Sequence, residues 1–523
     1  MLFIPQSLLF LIPMRLVRGL HLFYCIFLIL SLFSTVKGYA QNDIEPQKRQ
    51  FRGMWIATVN NLDWPSKPNM SVWRMKREFV KHLNLAQELG MNAVIVQVRP
   101  MSDAFYPSEL EPWSQFLSGK QGESPPRDFD PMQFMVEETH QRAMEFHAWF
   151  NPYRVMRNMD RAHISPDHVY FQHPDWFVTY ANTAFFDPGV KPARKFLERV
   201  VADVVTKYDI DAIHFDDYFY PGKLEAFDFP DSLSFKKYGT EFTEETKDDW
   251  RRENVNLLVK ELYDTINYLK PWVHFGISPF GVWRNKDQDA EGSATWVTQT
   301  DYDDLYADVR AWCREGWMDY VLPQSYHSLG MEIMDYAEVA NWWGKNHGSV
   351  NYYIGQAPFR LGTTNAGQAW SQGNEIDRQL TFNSTVRGLQ GSAFFRAEMF
   401  KKNPYGLNDT LKSKFYKYAA LPPISHDDRN RTFEANLVIT HFDNRRNNIE
   451  LKWTSDKPNE IMYYVVYASG NTSDPKNILA ITSDTSIKIK KEHLEGDEIP
   501  IYIRAVDKYR VESMALIVYA ELN

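Results

Sequence analysis

Two adjacent carboxylates, Asp216 and Asp217, lie in the apolar run Asp211–Phe219 (DAIHFDDYF) with no Lys or Arg beside them. An unpaired carboxylate is costly to bury, so such a pair either reaches an open surface or has a partner. Paired carboxyls hydrolyse acetals. One protonates the leaving oxygen and the other acts as nucleophile or as base for water, across about 5–5.5 Å in retaining and about 6.5–9.5 Å in inverting glycosidases. Strand alternation puts His214 and Asp216 on one face and Asp217 on the other. The expectation is therefore one carboxylate from this strand meeting a second from another loop, with Asp103 the first candidate and Glu398 the second. A partly desolvated member keeps its proton. Arg99 and His214 could orient or tune the acids, and Asn151, Gln324 and Tyr326 could hold hydroxyls. Tyr153 and Tyr218 sit in the same motifs, and Trp149 and Trp113 could stack on sugar rings. Loop bracing is the alternative for Arg99, Asn151 and Gln324, core packing for the tryptophans, and helix capping or internal ion pairing for the two aspartates.

These groups need elements to bring them together. From residue 50 to about 420, short apolar runs alternate with amphipathic stretches. The strands read as 51–59, 92–98, 146–151, 211–219, 274–280, 320–326, 351–356 and 390–396. Helical spacing separates them, as in 74–89, 192–208 and 244–269. Eight strand–helix alternations predict a (β/α)₈ TIM barrel over residues 50–421, whose active site sits where the strands end. The polar groups above all fall at or just beyond strand ends. A doubly wound open sheet is the rival, but no Gly-rich phosphate loop follows any strand, so no nucleotide cofactor is expected. Beyond Leu421-Pro422-Pro423 only short strands follow, six or seven in residues 430–523, which predicts a small all-β sandwich. Trp453 and Tyr502 there are similar to the core Trp and corner Tyr of fibronectin type III domains, where Lys508-Tyr509-Arg510 replaces an expected glycine turn. Spacing the barrel is the default role for this unit.

The chain has 523 residues, 24% of them charged, and a formal net charge of −9. Without a Lys/Arg run, no nucleic-acid partner is expected. Residues 1–40 read as a secretion signal, with Arg15 and Arg18 before the apolar run 20–33 and small residues before Gln41; Met14 offers an alternative start. The run is short for a membrane span, so cleavage is favoured over an uncleaved anchor, and the mature chain is expected outside the cytoplasm. Cys313 would then be the single thiol, and stability must come from a large core. No HExxH or clustered Cys/His pattern occurs, so no metal is expected, and no Gly-x-Ser-x-Gly elbow suggests a serine hydrolase.

Several long stretches, taken in order, resemble the bacterial glycosyl hydrolase-like 10 family. They are Phe51–Thr58 (FRGMWIAT) with Trp64-Pro65, Gln97–Pro100 (QVRP) with Asp103–Ser108, Ala148–Arg154 (AWFNPYR), His214–Pro221 (HFDDYFYP) and Pro323–Tyr326 (PQSY). The resemblance implies a TIM barrel that hydrolyses O-glycosyl bonds, with cell-wall glycan as substrate, in particular peptidoglycan strands stripped of peptide. Met101-Ser102 stands where a small residue is expected before Asp103. Two competing functions remain: a non-catalytic glycan-binding protein, and a metal-dependent carbohydrate esterase.

Overall fold

Eight parallel strands close on themselves in the computed structural model. It describes residues 44–126, 129–157, 164–224, 227–365, 367–494 and 498–521. The expected leader at 1–40 lies outside these residues. Among the described residues no helix is long and apolar enough to cross a membrane. The barrel strands are β1 (Phe51–Ile56), β2 (Ala93–Arg99), β3 (Glu145–Phe150), β4 (Ala212–Phe215), β5 (His274–Ile277), β6 (Tyr320–Val321), β7 (Asn351–Gln356) and β8 (Leu389–Phe394). Each pairs with its neighbour in sequence, and β8 closes on β1 through Gly53 opposite Ala393. The fold is a TIM barrel followed by an all-β domain.

Burial on both faces explains the near-continuous apolar strands. The outward set, including Val94, Val96, Phe146, Ile213, Phe275 and Ile277, packs under the surrounding helices. Helix Lys191–Lys207 presents Phe196, Leu197, Val200, Val201 and Val204 to this layer at helical spacing, with Pro192 in its first turn. Helix Val72–Glu88 does the same with Met75, Phe79, Leu83 and Ala86. It stops before Gly90, whose φ of +71° is the left-handed stop expected of that residue. The sixth strand is shorter than its sequence suggests. Only Tyr320 and Val321 ladder, because Pro323 has no N–H to donate, and Gln324 makes a single bridge to Gly355. Between β3 and β4 the chain makes a small antiparallel sheet from Arg154–Arg157, Phe177–Tyr180 and Thr183–Phe186, which the sequence reading left out.

Among the described residues the C-terminal domain has seven strands in two antiparallel sheets. Leu437–Asn444, Asn448–Ser455 and Ser486–Lys490 form one; Ile461–Tyr467, Ile478–Thr482, Glu498–Asp507 and Leu516–Glu521 form the other. Trp453 is buried in the core between them, edge-on to Tyr464 at 5.3 Å. Tyr502 lies on the opposite face, its hydroxyl against Gly470.

This domain is a plug rather than a spacer, and residues 46–523 form one compact unit. The turn Lys508-Tyr509-Arg510 closes with the Arg510 N–H donating to the Asp507 carbonyl, and Arg510 takes φ +67° where a glycine was expected. Its guanidinium, 1% exposed, enters the N-terminal mouth of the barrel. Nε donates to Glu145 Oε1 at 2.5 Å, Nη1 to His274 Nε2 at 2.9 Å and Nη2 to the Asp211 carbonyl at 3.3 Å. Those residues begin or immediately precede three consecutive strands, β3, β4 and β5. Around the plug, Lys508 pairs with Asp209 at 2.6 Å, and Ala143 and Leu421 pack on Tyr463, Val465, Tyr467 and Val506.

Removing one partner of a buried ion pair leaves the other uncompensated, at a cost of about 3–5 kcal/mol. Arg510→Ala is therefore expected to lower the urea midpoint of the whole chain sharply. The neutral double replacement Arg510→Met with Glu145→Gln recovers most of that loss.

Candidate active site

At the opposite, C-terminal mouth a cavity of about 210 Å³ is lined by the ends of nearly every strand. Trp55 from β1, Gln97 from β2 and Trp149 from β3 supply the lower wall. Asp216 and Asp217 follow β4, Ser278 follows β5, Gln324 and Tyr326 follow β6, and Phe395 follows β8. Val59, Asn60 and Leu62 close one side, Arg154 and Tyr218 another. Phe395 is the hub of an aromatic wall, edge-on to Trp55 at 6.2 Å and to Trp149 at 6.4 Å, with Tyr326 at 6.0 Å. Flat apolar rings beside a few fixed polar groups suit a pyranose, which has apolar faces and an equatorial belt of hydroxyls.

The two aspartates are held differently. Asp216 is buried, and its Oδ2 accepts from the Trp149 indole at 3.0 Å and from the Asn151 amide at 3.3 Å. Its Oδ1 has no protein partner. Burial, and secondarily the charge of Asp217, push its carboxyl up to about 7, against the pull of Arg154 and Trp149. Asp217 is half-buried, and its Oδ1 accepts from Gln324 Nε2 at 2.8 Å. Burial raises it too, while the Gln324 bond and Arg154 lower it. Two like charges this close do not both ionise easily, so the pair retains a proton near neutrality.

The structure corrects the expectation that Asp216 and Asp217 face apart. Strand geometry ends at Phe215, alternation no longer binds the next residues, and both line the same cavity. The carboxylates expected from other loops do not join them. Asp103 is fully buried away from the cavity, accepting from the Met101 N–H at 3.2 Å and from Gln121 at 3.4 Å. Glu398 starts a short helix and pairs with Lys401 at 3.2 Å. Arg99 is a brace: its buried guanidinium grips both oxygens of Glu111, at 2.7 and 2.5 Å, and the carbonyls of Asn151 and Pro152. It thereby fixes the loop that presents Asn151 to Asp216. Tyr153 is buried outside the cavity, and Trp113 lines a separate groove with Trp176. His214 lies beneath the floor, bonded to Tyr320 and Ser278. Of the other residues expected at the site, Trp149, Tyr218, Gln324 and Tyr326 line this cavity.

Sequence reasoning did not assign Trp55, Asn60, Gln97, Arg154, Ser278 or Phe395 to the site. Gln97 carries the strongest signal: its Oε1 accepts from the Thr58 and Val59 N–H groups, leaving Nε2 buried at the cavity without a partner. Arg154 lies over the Tyr218 ring at 4.8 Å, its Nε likewise unpartnered. Alternation along β1 and β2, and polarity at the end of β5, are the signals that could have found Trp55, Gln97 and Ser278.

A family model described as glycosyl hydrolase-like 10 matches residues 50–372. The glycosyl hydrolase YngK of Bacillus subtilis (strain 168) is 44% identical over 426 residues, covering 80% of this chain and 82% of the relative. The glycosyl hydrolase DigH of Escherichia coli (strain K12) is 36% identical over 383 residues, covering 68% and 85%. Among solved structures, the PgaB (BpsB) glycoside hydrolase domain from Bordetella bronchiseptica aligns with a TM-score of 0.46 at 10% identity, covering 70% of this chain and 99% of that one.

The folded-state pKa of Asp216, about 7, lies above the unfolded value of about 3.9. Between these values the folded state holds the extra proton, so this group's contribution to stability is present at low pH and lost as pH rises to about 7. Asp216→Asn removes that dependence. Its melting temperature relative to wild type is expected to rise steadily from pH 4 to pH 7 and then level off, with about 4 kcal/mol as an upper bound on the gain.

Proposed function

Since the chain belongs to the glycosyl hydrolase-like 10 family, we propose that the cavity at its barrel mouth hydrolyses O-glycosyl bonds of a polysaccharide, with Asp216 and Asp217 as the reacting pair. One observation carries the reading. The cavity has an aromatic wall and two adjacent carboxyls, one of which keeps a proton near neutral pH. Asp216 is the general acid. Its proton passes to the leaving glycosidic oxygen as the C–O bond breaks, and the Trp149 and Asn151 donors stabilise the carboxylate left behind. Asp217, fixed by Gln324, is the ionised member, and it faces the positive charge that develops at the anomeric carbon; a water then forms the new C–O bond there and returns its proton to the pair, which restores the Asp216 acid. Gln97, Arg154 and Ser278 hold hydroxyls, and Trp55, Trp149 and Phe395 receive the apolar face of the ring.

The polymer we propose is bacterial cell-wall glycan, in particular peptidoglycan strands free of peptide, as the motif resemblance implies. Export through the leader expected at residues 1–40 brings the chain to that polymer.

Purified peptide-free glycan strands are the test substrate, with fragments read by mass. Wild type is expected to shorten them. Asp216→Asn and Asp217→Asn are each expected to lose at least about 10³-fold in kcat while strands still pellet with the protein. Intact strands at every enzyme concentration, or unchanged rates in both variants, would contradict the proposal.

A further inference from the structure

A continuous hydrogen-bonded chain runs along the barrel interior from the C-terminal domain to the cavity. Arg510 Nε donates to Glu145 Oε1. Glu145 Oε2 lies 3.0 Å from His147 Nε2, and His147 Nδ1 lies 2.9 Å from the Tyr320 hydroxyl. That hydroxyl is 3.0 Å from His214 Nδ1, and His214 Nε2 is 3.0 Å from Ser278 Oγ, on the cavity wall. No member between Arg510 and the cavity is more than 2% exposed. Tyr320 can cross the interior only because Gly276 faces it, where a Cβ would fall 1.9 Å from the ring.

We propose that Arg510 is a positioning residue for the cavity, because through Glu145 it sets the direction in which every hydrogen bond of this chain points. A guanidinium only donates, so it demands an acceptor and keeps Glu145 ionised. An ionised carboxylate only accepts, so His147 carries its proton on Nε2. With its proton on Nε2, the singly protonated tautomer of His147 leaves Nδ1 bare. Nδ1 then accepts from the Tyr320 O–H. The Tyr320 oxygen accepts from His214 Nδ1–H, and the bare Nε2 of His214 accepts from the Ser278 O–H. The alternative bond of Ser278, to the Phe215 carbonyl at 3.4 Å, would leave that nitrogen unpaired. The hydroxyl hydrogen of Ser278 is thus committed inward, and its lone pairs face the cavity as an acceptor for a ligand hydroxyl.

The reversed chain is equally well connected, and only the ionised carboxylate excludes it. Glu145→Gln removes that exclusion. Arg510 takes the amide oxygen, the amide NH₂ faces His147 Nε2, and every bond above it turns round. Ser278 then accepts from His214 and offers the cavity a donor.

The test is ¹⁵N NMR of histidine-labelled full-length protein at pH 8. Wild type is expected to carry its protons on Nε2 of His147 and Nδ1 of His214, and Glu145→Gln to exchange both. A wild-type His214 protonated on Nε2, a doubly protonated His147, or tautomers unchanged in Glu145→Gln would overturn the inference. If that variant does not fold, the wild-type spectrum alone decides. A kinetic arm rests on the proposed glycan cleavage. There, Glu145→Gln is expected to raise KM about three- to tenfold with kcat changed less than about twofold, and to add nothing in a Ser278→Ala background. An equal KM effect in that background contradicts the positioning role. Absence of cleavage by wild type sinks the hydrolase reading alone, since the tautomers still decide this one.

Discussion

The cost of burying charge organises this molecule. Two buried carboxyl sites sit at opposite ends of one barrel, and they are accommodated in opposite ways. Glu145 at the N-terminal mouth is given a cation. Burial pushes its carboxyl up, but Arg510 and the His147 bond outweigh that and hold it well below the usual range. Asp216 at the C-terminal mouth is hydrogen-bonded by neutral donors, Trp149 and Asn151, beside a second carboxyl, and the pull of Arg154 does not outweigh its burial. It therefore keeps its proton to about pH 7. The first arrangement is a fully paired charge, and the second is the one to which the proposed chemistry is assigned, at the two faces that such barrels divide between stability and chemistry.

The C-terminal domain takes its place from that division. A bottom plug that brings a buried arginine must have its charge met, and Glu145 meets it at the start of β3. The domain also buries an apolar face from Tyr463 to Val506 against Ala143 and Leu421. Folding of the barrel and docking of the sandwich are thus linked through the buried Arg510–Glu145 pair. The polar interior that follows, from His147 to Ser278, survives in a tightly packed core because each member is bonded on both sides.

Much of this was legible in the sequence. Eight alternations gave the barrel, and strand ends gave Trp149, Gln324 and Tyr326. Three things were not legible. Alternation was carried two residues too far, to Asp217, because nothing in DAIHFDDYF marks where the ladder ends. Asp103 and Arg99 read as site residues because polarity near a strand end looks the same whether a group faces the cavity or, like Arg99 with Glu111, is neutralised beneath it. Arg510 sat in a turn where a glycine was expected. That substitution was the signal of the plug, but its partner Glu145 is 365 residues away, and sequence alone does not pair them.

The central claim is that the Asp216–Asp217 pair retains one proton near neutral pH while facing an open cavity. Site-resolved ¹³C carboxyl titration of aspartate-labelled protein tests it most directly, with Asp216→Asn and Asp217→Asn assigning the signals. The account predicts a carboxyl of the pair titrating with an apparent midpoint near 7, moved downward when its neighbour is neutralised. Two midpoints below 5, each indifferent to the other residue, would contradict it.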